Sequence, residues 1–483
     1  MSTLARIKQL TGDSLIYGVG NILIKFISVF LIPIYTRFFQ PADYGIISIA
    51  NNAFALLSVF LVMGMDNAMA IFFYDEQLDS KHRTLNTRTL FSLSVAVFAC
   101  LCLLVFYRPL AYWLFNNQTY NAVFIYAALN VMFMVFPNIL MGWLRLHKRA
   151  LHTMFFIVVG TLFNVALSLI LVVYYKRGIQ GLFLAQLVSS ILQTIYAAYV
   201  LRKEINIVWF EKSLLKKMLK FSLPSVPAAL AIWVVTSSAA FAINYFYGTA
   251  QVGLFQVASS IASAMLLLVG AFQMAWGPFA FSIKNESNAF EFYNLIFLLY
   301  LCICGALAIS IACMSQWLLK VFTTEAYESA YAVLSLLSLG YILNGTVYIA
   351  ALGLNFAKKN TPFAVCNIAA ALFTLGCLAL LVKPYIALGA AISIIAGQLL
   401  LNVFLFYVAH QKYPMPYQYT RGGILFGATV IMVVGAIYIL KNNYLPWYLL
   451  LFVSNALFLF LCFFVFERSL VLKLLRSKFS KEK

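Results

Sequence analysis

The stretch DSLIYGVGNILIKFISVFLIPIYTRFFQPADYG, residues 13–45, decides the fold class. From Ser14 to Thr36 it runs through 23 residues with a single charge, Lys25. A helix rises about 1.5 Å per residue, and roughly 20 apolar residues cross a hydrocarbon core about 30 Å thick, so this stretch is long enough to span a bilayer. Arg37 and the polar Gln-Pro-Ala-Asp run that follows close the span at the water interface.

The same pattern recurs along the chain. Of 483 residues, 64% are apolar and 10% charged, against roughly 45–50% and about 25% in an ordinary soluble domain. Lipid, not water, is the main solvent. Hydropathy predicts spans at 13–38, 45–73, 89–107, 122–143, 153–175, 181–201, 222–247, 252–277, 292–314, 330–355, 362–382, 387–408, 422–440 and 447–466. The expected fold class is therefore all-α polytopic membrane protein, with 14 transmembrane helices. The opening MSTLARIKQLTGDS is too polar for a signal peptide and the first apolar segment too long for a signal core, so no cleavage is expected. The eight cysteines all lie in apolar stretches, which favours inert buried thiols over disulfides or metal ligands.

Thirty-three Lys and Arg face 14 Asp and Glu. In a soluble protein this excess would suggest nucleic acid; here it reports topology, because cytoplasmic loops collect cations. With both termini cytoplasmic, 25 cations fall in inner segments. Seven fall outside, namely Arg37, Arg108, Lys176, Arg177, Lys320, Lys383 and Lys441, and only Lys25 is left within the membrane. The ratio fixes the expected orientation, with N- and C-termini cytoplasmic. The inner segment 202–220 holds six cations among Leu, Ile, Trp and Phe, and reads as an amphipathic strip on the anionic inner leaflet.

An internal repeat is also visible. A shift of 208 residues lays FFQPADYGIISIA (Phe38–Ala50) on FYGTAQVGLFQVA (Phe246–Ala258), pairing Ala42 with Ala250, Gly45 with Gly253 and Ala50 with Ala258. It also lays GIQG, ending at Gly181, on IALG, ending at Gly389, and within two residues Lys148-Arg149 on Lys358-Lys359. The domains expected are a six-helix lobe at 1–208, a second at 209–416, and helices 13–14 with a basic cytoplasmic tail at 417–483. Six spans per unit makes the repeats parallel, an arrangement in which substrate binds between halves that rock.

On the first helix Ser14, Gly18, Asn21, Lys25 and Ser28 recur at spacings of 4, 3, 4 and 3, which is one helical face. Lys25 stands near mid-membrane, where a charge costs about 2.5–3.5 kcal/mol on insertion scales, so it should face water or a partner. The serines and glycine alone would also serve close helix packing. The seventh helix carries Ser225, Ala229, Trp233, Ser237 and Asn244 at comparable spacing. Asp66, late in the second span, is too near the cytoplasmic end to pair directly with Lys25; a cap, a coupling-cation ligand and an interfacial acid are its open readings. Pro33 bends the first helix, whereas Pro224 and Pro227 mark the start of the seventh.

These residues carry a resemblance: the opening helix Asp13–Gly45, GMDNAMAIFFYDE (Gly64–Glu76) and VGLFQVASSI (Val252–Ile261) resemble the polysaccharide repeat-unit (Wzx-type, O-antigen) flippases of the multidrug/oligosaccharidyl-lipid/polysaccharide exporter superfamily. The resemblance covers almost the whole chain. It implies a bacterial inner-membrane carrier of undecaprenyl-diphosphate-linked oligosaccharide, in contact with membrane lipids and acting beside a polysaccharide polymerase and other glycan assembly proteins. It implies a V-shaped central cavity, with the helix 1 cation on the diphosphate, here Lys25. Relatives often carry an arginine where this chain has Ile71, so helix 2 brings no such contact. The candidate substrate-binding residues are Lys25, Asn21, Ser28, Trp233, Ser237 and Asn244, with Asp66 the candidate coupling-ion residue; no cofactor, catalytic group or metal site is expected, and coupling would use Na⁺ or H⁺.

Two rivals remain at this stage. A multidrug or cation antiporter of the same superfamily would need buried carboxylates, and Asp66 is the one candidate. A membrane glycan polymerase or ligase would need a catalytic constellation, yet outer loops 108–121 and 315–329 hold no His and only Glu325 and Glu328 as acids. No phosphate-binding P-loop string occurs. The four histidines, 82, 147, 152 and 410, fall in predicted inner loops, so no histidine relay crosses the membrane.

Overall fold

A computed structural model of the chain describes residues 3–73, 80–115, 121–206, 209–357 and 361–465, with side chains from Ile16 onward except Ser80 and Trp113. The side chain of Ser14, the pair Lys358 and Lys359, and the basic tail after Val465 lie outside the described residues.

Among the described residues the chain is helical throughout, without strands. The helices are α1 (Thr3–Phe38), α2 (Pro41–Val62), α3 (Met65–Phe73), α4 (Ser80–Val105), α5 (Tyr107–Phe115), α6 (Asn121–Phe133), α7 (Val135–Leu146), α8 (Ala150–Leu169), α9 (Gly178–Leu201), α10 (Lys212–Ser222), α11 (Val226–Tyr247) and α12 (Thr249–Ala262). They continue as α13 (Met265–Ser282), α14 (Ala289–Cys313), α15 (Ser315–Phe322), α16 (Tyr331–Ala350), α17 (Leu352–Phe356), α18 (Thr361–Lys412), α19 (Tyr419–Lys441) and α20 (Trp447–Val465). Among the described residues, thirteen segments are long and apolar enough to cross a membrane. The predicted eleventh and twelfth spans fall in α18, whose 52 residues break at Ile386 (φ 51°, ψ −126°).

Several predicted spans are not continuous helices, the second and eighth among them. The second breaks at Met63 and Gly64, which take φ of 43° and 68°, a left-handed pair that the glycine accepts without penalty. A Cβ on Gly64 would also lie 2.3 Å from Ser225 Oγ, so chain crowding fixes glycine here. The eighth is interrupted after Ala262 and resumes at Met265. Pro224 and Pro227 do stand at a helix start, in the 3₁₀ turn Leu223–Ser225 and the first turn of α11, where a missing N–H leaves no bond unmade.

By contact the chain divides into Met1–Gly253 and Leu254–Lys483. In the first unit α1 packs on α8, α2 on α11, α3 on α4 and α10, and α6 on α9. Met65, Met69, Leu140, Trp143, Leu214 and Met218 form its buried centre. Lipid tails are as apolar as leucine, so hydrocarbon burial alone does not hold such helices together; close packing and interhelical hydrogen bonds do. Gly45 and Gly253 illustrate the packing: a Cβ on Gly45 would lie 1.8 Å from the Thr249 carbonyl oxygen, and one on Gly253 would lie 1.8 Å from that of Pro41.

In the second unit α14 packs on α16, α19 and α20, and α16 on α18. Thr346 Oγ1 donates to Asn402 Oδ1 at 2.7 Å and Asn402 Nδ2 donates to the Leu343 carbonyl at 2.9 Å, tying α16 to α18 without an ion pair.

Candidate functional site

Lys25 sits nine residues into the span Ile16–Phe38, about 14 Å from its start and about 20 Å from its end. Its side chain is exposed, and no carboxylate among the described residues pairs with it. Direction matters more than exposure in a membrane. At about 100° per residue, Asn21, Lys25 and Ser28 share an arc of roughly 60°. Val19, Phe26 and Phe30, each more than half exposed, fall on another side of α1, between about 100° and 140° from Lys25. Ile32 and Thr36, within about 20° of Lys25 on the helical wheel, are both 3% exposed, and Gly18, on the same arc about two turns the other way, is buried. Lys25 therefore belongs to the arc of α1 that turns into protein at both ends, not to its phenylalanine face.

α1 is held in that orientation by α8. Gly20 is buried against Met154, whose sulfur lies 2.2 Å from where a Cβ would stand, and Tyr35 hydrogen-bonds the Ser168 hydroxyl. Ser28 Oγ donates to the Ile24 carbonyl at 2.9 Å, so its polarity is partly used within the helix. Asn21 and Lys25 are the exposed polar groups on this arc free to meet a ligand.

The seventh-helix candidates fall on α11, and two are engaged in holding the first unit together. Trp233 Nε1 donates to the Asn52 carbonyl of α2 at 3.0 Å, and Asn244 Nδ2 to the Leu114 carbonyl of α5 at 2.7 Å. Ser237 is half-buried beside Thr236, hydroxyl to hydroxyl at 3.3 Å.

Asp66 has a partner that sequence reading missed. Its Oδ1 receives Arg88 Nη2, and Arg88 Nη1 also contacts Met69 Sδ at 2.8 Å. The Arg88 side chain is 3% exposed, the Asp66 side chain 42%. Gly142 of α7 clears the way, since a Cβ there would lie 2.8 Å from Arg88 Nη1. The third predicted span starts at 89, leaving Arg88 in a loop; α4 instead begins at Ser80. Its polar first turns are paid for by partners in the 202–211 linker: Asn86 Nδ2 donates to the Glu204 carbonyl at 2.9 Å, Asn86 Oδ1 accepts from Asn206 N at 2.6 Å, and Thr87 Oγ1 accepts from Glu211 N at 3.1 Å. The Ser213 hydroxyl, with Arg83 at 3.3 Å, holds the Glu211 carboxyl below the usual carboxylate range. Beyond the linker, α10 buries Leu214, Met218 and Ser222, giving the amphipathic strip expected at 202–220 a helical form over Lys212–Ser222.

Helices of this length and apolarity define a polytopic membrane protein. Residues 34–274 match the profile of the polysaccharide biosynthesis protein family. An uncharacterized membrane protein of Haemophilus influenzae is 22% identical over 285 residues, 58% of this chain and 67% of that one. A protein of the Lsg locus of the same organism is 21% identical over 288 residues, 57% of this chain and 67% of that one. Among solved structures, the lipid II flippase MurJ in an inward closed conformation superposes with a TM-score of 0.73 at 15% identity, over 95% of this chain and 99% of that one. An inward-facing multidrug resistance MATE family transporter superposes with a TM-score of 0.66 at 16% identity, over 80% and 94%. By sequence, residues 34–274 resemble the polysaccharide biosynthesis protein family, and by fold the chain is similar to these flippase and multidrug transporter structures.

Proposed function

We propose that this protein flips undecaprenyl-diphosphate-linked oligosaccharide repeat units, of O-antigen or another surface polysaccharide, from the inner to the outer leaflet of the bacterial inner membrane by alternating access. The observation that carries the proposal is Lys25: a mid-span ammonium, without a carboxylate partner among the described residues, on the protein-facing arc of α1 in a chain that resembles this family. An uncompensated cation at that depth is suited to an anionic headgroup. In this reading α18 makes two passes, because 52 residues of helix would reach about 78 Å; the spans then number fourteen and both termini are cytoplasmic. Lys25 attracts the diphosphate, Asn21 and Ser28 line its approach, and the polyprenyl tail stays in lipid. Trp233, Ser237 and Asn244 shape the neighbouring α11.

The inside-negative potential favours outward movement of the anion by about 2.3 kcal/mol per charge per 100 mV. Return of the empty carrier moves the Lys25 charge inward, with the field, and the coupling to Na⁺ or H⁺ is assigned to Asp66, the carboxylate half-exposed beside Arg88. The test is surface glycan in a flippase-deficient strain. Lys25→Ala is expected to lower it about tenfold to a hundredfold, the value of a charged hydrogen bond, while lipid-linked precursor accumulates and Lys25→Arg keeps most activity. Full surface glycan from Lys25→Ala at normal expression overturns the proposal.

A further inference from the structure

Inside the first unit lies a chamber of about 490 Å³, walled by α2, α6, α7, α8 and α9 and lined by no charged side chain. Its size falls within the roughly 300–1,000 Å³ of small-molecule sites. Polar groups reach it from four helices: Asn51 of α2, Asn130 of α6, Asn164 of α8, and Gln186, Ser189 and Gln193 of α9. The last three recur at i, i+3 and i+7, one face of a helix. Gly160 of α8 is needed beside them, because a Cβ there would lie 2.8 Å from the Gln193 amide carbon.

No protein donor reaches Asn130 Oδ1 or Asn164 Oδ1, and the buried Ser189 hydroxyl has no protein partner either. Membrane helices normally use such side chains to hold one another, as Asn402 does on Thr346. Here Asn130, Asn164 and Ser189 stand around one space and these atoms make no such bond across it. Amides and hydroxyls both donate and accept, and a ligand that answers them carries alternating donors and acceptors without net charge. A sugar ring with its hydroxyls has that character. A diphosphate does not, since the lining offers it no cation. A monovalent cation would need its oxygens drawn together around a single point, which a space of this volume does not provide.

The geometry points to this chamber as a subsite for an uncharged sugar residue of the transported glycan, separate from the charge-reading face at Lys25. The inference rests on the flippase reading and names the neutral part of its substrate. Retaining amides that bond nothing in the protein favours binding over stability, and replacing them with leucine separates the two.

The experiment uses the full chain purified into lipid nanodiscs and follows its unfolding temperature with free glucose, galactose or N-acetylglucosamine, with undecaprenyl phosphate, or with sodium chloride. Ligand that binds the folded state raises that temperature. At least one sugar is expected to raise it, and Asn130→Leu and Asn164→Leu each to weaken the response about tenfold. The unliganded leucine variants should unfold at the same temperature as the parent or higher. Lys25→Ala should keep the sugar response and lose the one to undecaprenyl phosphate. No response to any of the three sugars overturns the subsite, as does an undiminished response in the leucine variants or a sodium response that those variants abolish. Loss of the flippase reading would show instead in the undecaprenyl phosphate arm, with the sugar arm intact.

Discussion

Gly45 and Gly253, 208 residues apart, each take the carbonyl that begins the other's helix: Gly45 faces Thr249 and Gly253 faces Pro41, with the same 1.8 Å clearance for a Cβ. Pro41 and Thr249 are themselves 208 apart and open α2 and α12. Two equivalent contacts related by one sequence shift are the mark of a local two-fold, and they turn a weak internal similarity into a shared packing device.

Gly45→Ala and Gly253→Ala should therefore be similarly damaging. Each adds a methyl where neighbouring backbone must move aside, an overpacking cost of about 1–3 kcal/mol or more. Thermal unfolding of both variants in detergent would measure it. An alanine tolerated at either position without a shift would show that the two helices do not meet at these glycines.

The Asp66–Arg88 pair predicts an asymmetry. Removing the acid strands a guanidinium that is 3% exposed, whereas removing the base leaves a carboxylate that is 42% exposed and able to find water. Breaking a buried pair costs about 3–5 kcal/mol when the survivor stays buried. Asp66→Asn is expected to lose more folded protein than Arg88→Met, and the double variant to recover part of the loss. Equal damage from the two single variants would contradict this.

Ile386→Gly should stabilise. A β-branched residue at φ 51°, ψ −126° lies in backbone space that favours glycine, and residue 178, which the 208-residue shift aligns with it, is already Gly178 at φ 56°. A gain of about 1–2 kcal/mol is expected from releasing the strain, read as a higher unfolding temperature. A drop would mean that the isoleucine side chain contributes more by packing than its backbone loses.

Hydropathy was enough to locate the membrane segments, and the spacing of Asn21, Lys25 and Ser28 was enough to place them on one face of α1, because both are local periodicities. Arg88 was hidden for the opposite reason. The run SKHRTLNTR is too polar to read as helix, and what makes it one is hydrogen bonding to Glu204, Asn206 and Glu211, well over a hundred residues on. Trp233 and Asn244 looked like ligand groups until distant carbonyls claimed their donors. Gln186, Ser189 and Gln193 had a legible period, but only Asn130 and Asn164, from other helices, turn that period into a chamber.

The bond from Trp233 to Asn52 has a consequence for biogenesis. The second helix of the chain finds its partner only after α11 has been made, so the early helices must wait in the bilayer, unfinished, while about 170 further residues leave the ribosome. At about 5–20 residues per second that delay lasts on the order of ten seconds or more. Truncated nascent chains ending before Val226 should be preferred prey for membrane proteases, and those ending after Gly253 should escape them.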